Sequence, residues 1–366
     1  MQLVKAPRDS VLRPLQVVGG IVERRQTLPI LANVLLRRDP ARLSFTTTDL
    51  EIQIQTGMDV AASTESGSAT VSARKLIDIL RALPDVEVQL SYVNRKLTIQ
   101  AGRSKFSLQT MSADEYPTVA QAPVNVDFTV PASSLKYLLS MVHYAMATQD
   151  IRYYLNGMLL VIDGPKVRAV ATDGHRLAMC EFERTETSGA IDVIVPRKTV
   201  QELGRLLPDG DEPVRIQVAS NQVRFEFGTI ELVSKLVEGK FPDYAKVIPA
   251  NNPKSFLIGR EEFMQSLSRA AILTTEKFKG VRLVLAHGSL KVSASNTDQE
   301  EAQEEIEIDY SGEPLDIGFN VTYLLDVLGN LKCDQVRVSL GDSLGSALIT
   351  VPDSDRFQYV VMPMRI

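Results

Sequence analysis

Val167-Arg168-Ala169-Val170-Ala171-Thr172-Asp173 decides the fold of this chain, because its arrangement occurs three times. Thr48-Asp49 follows the apolar run Leu43-Ser44-Phe45, and Thr297-Asp298 follows Leu290-Lys291-Val292-Ser293-Ala294, so the three Thr-Asp pairs lie 124 and 125 residues apart. Downstream of each comes a helix-like segment, at 73–80, 196–203 and 320–327. A period of about one third of 366 residues is too long for a solenoid repeat and suits a domain. The chain therefore reads as three similar domains, 1–125, 126–250 and 251–366, divided within Ala120-Gln121-Ala122-Pro123 and Pro249-Ala250-Asn251-Asn252-Pro253.

In the first copy, Val11, Leu12, Leu15, Val18 and Val22 keep an i, i+3/i+4 rhythm that predicts a helix over 10–21, with Pro14 in its early turns. Strands are expected at 30–37, 42–47, 50–56 and 68–71, a second helix at 73–83, and strands at 86–91, 95–101 and 104–110. Ile52 and Ile54 alternate with Gln53 and Gln55, as in a strand buried on one face. Helices at 133–146 and 260–274 echo the first, and Asp163-Gly164-Pro165, Pro208-Asp209-Gly210-Asp211 and His287-Gly288 read as turns. The helix–strand unit thus occurs twice per repeat and six times in the chain. An α+β fold follows, with helices packed on antiparallel sheets. Repeated heterologous contacts close into a ring or run on as a filament, and basic helices inside a ring would line a positive hole.

The composition, 44% apolar and 23% charged, is ordinary for a globular protein. No run of 18 apolar residues occurs and residues 1–9 lack a secretory apolar region, so neither a membrane span nor a leader is expected. Cys180 and Cys333 are the only cysteines, which favours a reducing, cytoplasmic setting without disulfides or a cysteine-based zinc site. Net charge is −5, yet the helical segments (8–25, 72–83, 133–146, 197–207, 260–280 and 320–332) hold 16 Lys or Arg against 8 Asp or Glu, leaving −13 elsewhere. Such a split presents one cationic face to a polyanion and repels it elsewhere. Helices that merely gather Lys and Arg would give the same count.

Thr172-Asp173-Gly174-His175-Arg176 sets Asp, His and Arg together, as an enzyme would. However, His143, His175 and His287 fall one per repeat at unrelated positions, without metal-ligand spacing, and Thr48-Asp49-Leu50 and Thr297-Asp298-Gln299 lack His. The shared part reads as a strand connection whose Asp accepts backbone N–H bonds. Glu238-Gly239-Lys240-Phe241 lacks the Ser or Thr after Lys and the upstream Gly of a phosphate-binding loop. No catalytic residue, metal or cofactor is expected. Two competing readings are an enzyme using Asp173 and His175, and a plain protein-interaction scaffold.

The longest informative runs are Gln149-Asp150-Ile151-Arg152-Tyr153-Tyr154-Leu155-Asn156-Gly157-Met158, Ala171-Thr172-Asp173-Gly174-His175-Arg176-Leu177-Ala178, Phe241-Pro242-Asp243-Tyr244 and Tyr359-Val360-Val361-Met362-Pro363-Met364-Arg365. With Leu28-Pro29-Ile30-Leu31 and Arg269-Ala270-Ala271-Ile272-Leu273, they closely resemble the bacterial DNA polymerase III beta subunit, the sliding-clamp family, over essentially the whole chain. The resemblance implies a head-to-tail homodimer closed as a ring around double-stranded DNA. It implies tethering of the replicative DNA polymerase alpha subunit, and loading by a clamp-loader complex that supplies the ATP chemistry.

The resemblance also implies a groove for short apolar peptides of polymerases, loader and repair proteins. Carried over by position, its residues are Arg152, Leu155, Thr172, Gly174, His175, Arg176, Leu177, Pro242, Val247, Asn320, Tyr323, Ser346, Val360, Val361, Met362 and Met364. Methionine suits such a wall because it repacks around different ligands. The plain alternative for 360–364 is a last core strand stopped by Pro363. Lys246 stands where relatives often have Arg, and Thr148 where they often have His.

If the ring closes head to tail, Arg103 and Lys105 face Glu300, Glu301 and Glu304, with Phe106 and Leu108 against Ile272 and Leu273. The DNA candidates are Arg24, Arg25, Arg74, Lys75, Lys136, Arg197, Lys198, Arg205 and Lys332, with Gln149, Tyr153 and Tyr154 on a loop. No base-reading motif accompanies them, which suits sparse phosphate contacts that permit sliding.

Overall fold

The computed structural model describes residues 1–23, 28–120, 122–275 and 278–366, without the side chains of 186–188. Among the described residues six α-helices occur: α1 (Arg8–Val18), α2 (Ala73–Ala82), α3 (Ala132–Val142), α4 (Arg197–Leu206), α5 (Arg260–Ala271) and α6 (Val321–Asn330). Each is preceded by a strand segment and followed by three more, so one strand–helix–meander module recurs six times. In the middle copy some segments fuse. Gly157–Thr172 and Arg176–Pro196 run alongside each other through the Asp163-Gly164-Pro165 stretch read as a turn, with irregular register around Gly164 at φ 57°. Pairing resumes on both sides of this irregularity, which joins the flanking segments into one strand.

The chain forms two compact units, one of Met1–Ser133 with Gln201–Leu236 and one of Ser134–Val200 with Val237–Ile366. The first holds a twelve-stranded antiparallel sheet running from Gln2–Pro7 at one edge to Val124–Pro131 at the other. α1 buries Val11, Leu12, Leu15 and Val18, and α2 buries Leu76 and Leu80. α1 begins earlier than its apolar rhythm indicates, so Pro14 falls within the helix body. It stops at Val18 because Gly19 and Gly20, poor helix formers, open a 3₁₀ turn, Gly19–Ile21. Pro29 opens a similar turn over Pro29–Ala32, which delays the strand expected from residue 30 to Asn33–Asp39.

The second unit holds a six-stranded sheet, from Gly157–Thr172 to Lys254–Gly259, and a four-stranded one, from Glu301–Glu307 to Leu315–Asn320. α5 contributes Phe263, Leu267 and Ala270 to its core, and α6 contributes Leu324, Val327 and Leu328. The helices do not share charge evenly. In α5, Glu261 and Glu262 offset Arg260 and Arg269, and the one charged residue of α6 is Asp326, so the cationic excess belongs to α1, α2, α3 and α4. No helix among the described residues is long and apolar enough to cross a membrane.

Strand pairing between modules follows one rule. The last strand of the first meander, Ile52–Asp59, pairs with that of the fourth, Ile230–Lys235, in antiparallel register (Ile54 opposite Leu232). The third ends in the segment from Arg176, which pairs with Ser354–Val361 of the sixth (Ala178 opposite Tyr359). The second and fifth meanders end in Ser104–Met111 and Glu301–Glu307. Beyond its own hairpin neighbour the first of these meets only Thr70 and Val71, through Met111 and Thr110, and the second pairs with its hairpin neighbour alone. Among the described residues, 104–109 and 301–307 each leave one edge open.

Candidate functional site

The Thr172-Asp173 turn is built by its own side chains. Thr172 Oγ1 donates to the Arg176 carbonyl (2.6 Å) and accepts from Gly174 N–H (3.1 Å), while Asp173 Oδ1 accepts from His175 (2.9 Å) and Arg176 N–H (3.1 Å). Thr48 and Asp49 make the same four bonds, with Ile52 O, Leu50 N–H, Glu51 N–H and Ile52 N–H. Asp173 is therefore a turn-forming residue. The third copy departs, since Asn296 rather than Asp298 accepts from the N–H groups of Asp298 and Glu300. All three turns carry a positive φ at Leu50 (78°), Gly174 (89°) and Gln299 (64°).

A cavity of about 430 Å³ opens beside the second turn. Thr172, Gly174, His175, Arg176 and Leu177 line it from the turn, and Arg152 and Leu155 from the loop before Gly157–Thr172. Pro242, Val247, Ser346, Val360 and Met362 complete the expected part of the wall. Its floor belongs to a buried cluster that includes Leu159, Val170, Leu177, Phe241 and Val360. Met362 and Val247 remain 47% and 44% exposed, so an incoming apolar side chain finds apolar partners that are still wet. Burying one such side chain is worth roughly 1.5–3 kcal/mol.

Four expected residues do not line this cavity. Asn320 caps α6 by accepting from Thr322 N–H (3.0 Å), and Val361 is fully buried. Tyr323 stacks on His175 with centroids 6.4 Å apart and planes at 18°. Met364 lines a neighbouring cavity with Leu344 and Ile366. Conversely, Tyr154 and Tyr244 line the groove although the sequence reading left them out of it. Tyr244 is held by Arg168, whose Nη1 donates to its hydroxyl (2.8 Å) while Nε bonds Glu181 (2.7 Å). Its place in the quoted Phe241-Pro242-Asp243-Tyr244 run was the available signal.

Two arginines shape the groove differently. The Arg176 side chain is only 10% exposed and is used internally: Nε pairs with Asp173 (3.0 Å), Nη1 with Asp326 (2.5 Å), and Nη2 donates to Tyr144 O (2.7 Å). Burial disfavours its charge, but nearby Tyr359 and the bond to Asp326 overcome that and raise its pKa. Arg152 is half in water and grips Asp150 through Nε (3.0 Å) and Nη2 (2.8 Å), which holds the Asp150 carboxyl down at about 2. The Arg152 guanidinium lies across Gly174, where an added Cβ would meet Nη2 at 2.9 Å. Lys246 pairs with Asp243 at 2.8 Å.

Among the DNA candidates, Arg24 and Arg25 lie outside the described residues. Arg74, Lys75, Lys332, Gln149 and Tyr153 are exposed, while Lys136 and Lys198 are half-buried. Arg205 stays exposed but donates from Nη2 to the Val17 carbonyl (2.8 Å) and Glu202 (2.6 Å), and the half-buried Arg197 donates to the Met146 carbonyl (2.8 Å). Each guanidinium thus spends part of its donor capacity on the fold. Tyr154, named among the DNA candidates, packs against the apolar floor of the groove.

At the open strand edges, Arg103, Lys105 and Phe106 are exposed and Leu108 is half-buried. Ile272 is 77% exposed beside the half-buried Leu273, and Glu300 and Glu301 are exposed. Glu304 already pairs with Arg269 at 2.5 Å, so it is less free than its sequence context suggested. No cluster of three or more His, Cys, Asp or Glu fit to hold a metal occurs among the described residues.

Family models for the DNA polymerase III beta subunit match in succession: the N-terminal domain over residues 3–120, the central domain over 129–243 and the C-terminal domain over 245–365. The chain belongs to the DNA polymerase III beta subunit family. It is 47% identical to the beta sliding clamp of Pseudomonas aeruginosa over 361 residues and 45% identical to that of Escherichia coli over 360, covering 98% of both chains in each case. A crystal structure of the Pseudomonas aeruginosa clamp bound to griselimycin superposes with a TM-score of 0.97 at 47% identity, over the full length of both chains. A Caulobacter crescentus clamp matches with a TM-score of 0.94 at 38% identity, again over both full chains. Members of this family are DNA-tethering processivity factors rather than enzymes, and this chain is a sliding clamp in that sense.

Proposed function

We propose that two copies of this clamp close head to tail into a ring around duplex DNA, each copy supplying three domains divided near residues 125 and 250. The observation that carries this is the strand-pairing rule. Four of six meanders join in pairs through their last strands, which leaves the edges at 104–109 and 301–307 as the remaining complementary couple. Arg103 and Lys105 on one edge and Glu300, Glu301 and Glu304 on the other set the register, while Phe106, Leu108, Ile272 and Leu273 supply the apolar centre. The second join also covers edges that would otherwise invite uncontrolled strand addition.

In this reading the cationic faces of α1, α2, α3 and α4 meet DNA phosphates, with Arg24 and Arg25 contributing beyond α1. The exposed Gln149 and Tyr153 meet the duplex from their loop. The groove beside Thr172 takes short apolar peptides of the replicative polymerase alpha subunit, the clamp loader and other polymerases and repair proteins, in the cytoplasm. The griselimycin-bound relative, which carries a peptide-like ligand, supports the same kind of occupant here.

Charge exchange at the edges tests ring closure. Lys105→Glu is expected to weaken the dimer at least tenfold by sedimentation velocity, and mixing it with Glu301→Lys is expected to restore association. A dimer indifferent to Lys105→Glu, Phe106→Asp and Ile272→Asp alike would refute this interface.

A further inference from the structure

The first compact unit contains a cleft of about 510 Å³ that repeats the groove architecture at the first Thr-Asp turn. Thr48 and Leu50 stand where Thr172 and Gly174 stand in the groove, and each turn is followed in the wall by a proline, Pro117 or Pro242, behind a buried aromatic, Tyr116 or Phe241. The last wall position corresponds by hydrogen bonding: Lys235 N–H donates to Glu51 O and Met362 N–H to His175 O, each at 2.9 Å. Ser234 lies opposite Ile52 just as Val361 lies opposite Arg176.

The differences define the ligand. The methionine wall of the groove is replaced by Lys235, whose pairing with Glu51 (3.0 Å) joins two exposed side chains, 49% and 64%. An exposed pair of this kind is worth little and is readily exchanged for another carboxylate. The open position at Gly174 becomes Leu50, 38% exposed, which adds an apolar surface next to that cation. Gln222 lines the cleft at 8% exposure, and its Nε2 donates to Ala120 O (3.1 Å) while its buried Oε1 has no donor among the described residues. An unmet buried acceptor is destabilising, which an incoming N–H would offset.

We propose that this cleft is a second docking groove, for a short extended peptide that presents an apolar side chain next to a carboxylate. The apolar side chain packs on Leu50 and Val119, the carboxylate takes Lys235 from Glu51, and a peptide N–H donates to Gln222 Oε1. The proposal rests on the peptide reading of the groove beside Thr172, of which this cleft is the counterpart with altered specificity.

The test uses the full chain with labelled Leu, Val and Met methyl groups and two probes, acetyl-Ala-Leu-Asp-amide and acetyl-Leu-Leu-Phe-amide. The acidic peptide is expected to shift Leu50 and Val119 saturably, and Lys235→Met, which installs the residue of the other groove, to weaken it at least tenfold. The apolar peptide is expected to shift Val247 and Met362 in both proteins. Silent Leu50 and Val119 resonances at millimolar acidic peptide, or binding unchanged in Lys235→Met, would overturn the second groove while the first stands. Failure of Val247 and Met362 to respond, with Leu50 still responding, would overturn the reading of the first groove alone.

Discussion

The Arg176 guanidinium lies 4.5 Å from the centroid of the Tyr323 ring. It also pairs with Asp326, one turn further along α6, so a single side chain ties the Thr172 turn to that helix. This explains why Arg176 is charged and yet largely shut off from solvent. It braces the groove, and its aromatic neighbours Tyr144 and Tyr323 contribute cation–π attraction.

Arg176→Ala is therefore expected to lower stability by about 3 kcal/mol, because Asp173 and Asp326 lose their common partner in a partly buried site. Arg176→Lys should recover only part of this, since an ammonium cannot reproduce the planar fork that reaches two carboxylates and a carbonyl. Thermal unfolding of both variants, with binding of acetyl-Leu-Leu-Phe-amide measured alongside, checks the order wild type, Lys, Ala.

Gly174 and Leu50 occupy the same left-handed turn position, which makes their exchange informative. Gly174→Leu adds backbone strain of roughly 1–2 kcal/mol and pushes the Arg152 guanidinium off the turn. It should both destabilise the protein and block the groove. Leu50→Gly removes strain at a cost in unfolded-chain entropy, so stability should change by less than about 0.5 kcal/mol. Equal losses in the two variants would contradict the correspondence of the turns.

Burial pushes the Cys180 thiol up to about 12. An unfolded cysteine ionises near ~8.5, so above that pH the unfolded chain releases a proton that the folded chain keeps. The contribution is complete below about pH 8.5 and is lost as pH rises toward 12. Stability should decline through this window, and Cys180→Ala should flatten the decline. At neutral pH native protein should react with a thiol reagent first at the half-buried Cys333, whose thiol burial also raises, and at Cys180 only on unfolding.

Much of this was legible in the sequence. The apolar run before each Thr-Asp pair and the six amphipathic segments fixed three repeats, and the bonds of Thr48 and Thr172 are the physical content of that recurrence. The groove wall was reached through resemblance, since no periodicity brings Arg152, Pro242 and Met362 together. What stayed hidden depends on partners distant in sequence. Arg205 looks like any surface cation until the Val17 carbonyl claims it, and Tyr244 becomes a wall residue only because Arg168 holds its hydroxyl. Asn296 takes over the third turn because its amide oxygen reaches the Asp298 and Glu300 N–H groups from one residue before Thr297, which a match on Thr-Asp overlooks.

Encirclement is tested most directly on DNA whose topology can be changed. The protein is loaded onto nicked circular DNA with a clamp loader and ATP, the circle is cut once, and retention is followed by gel filtration. A ring stays on the circle and is lost rapidly from the cut ends. Equal retention on circular and linear DNA would contradict encirclement, and would mean that the cationic helices hold the duplex by direct binding.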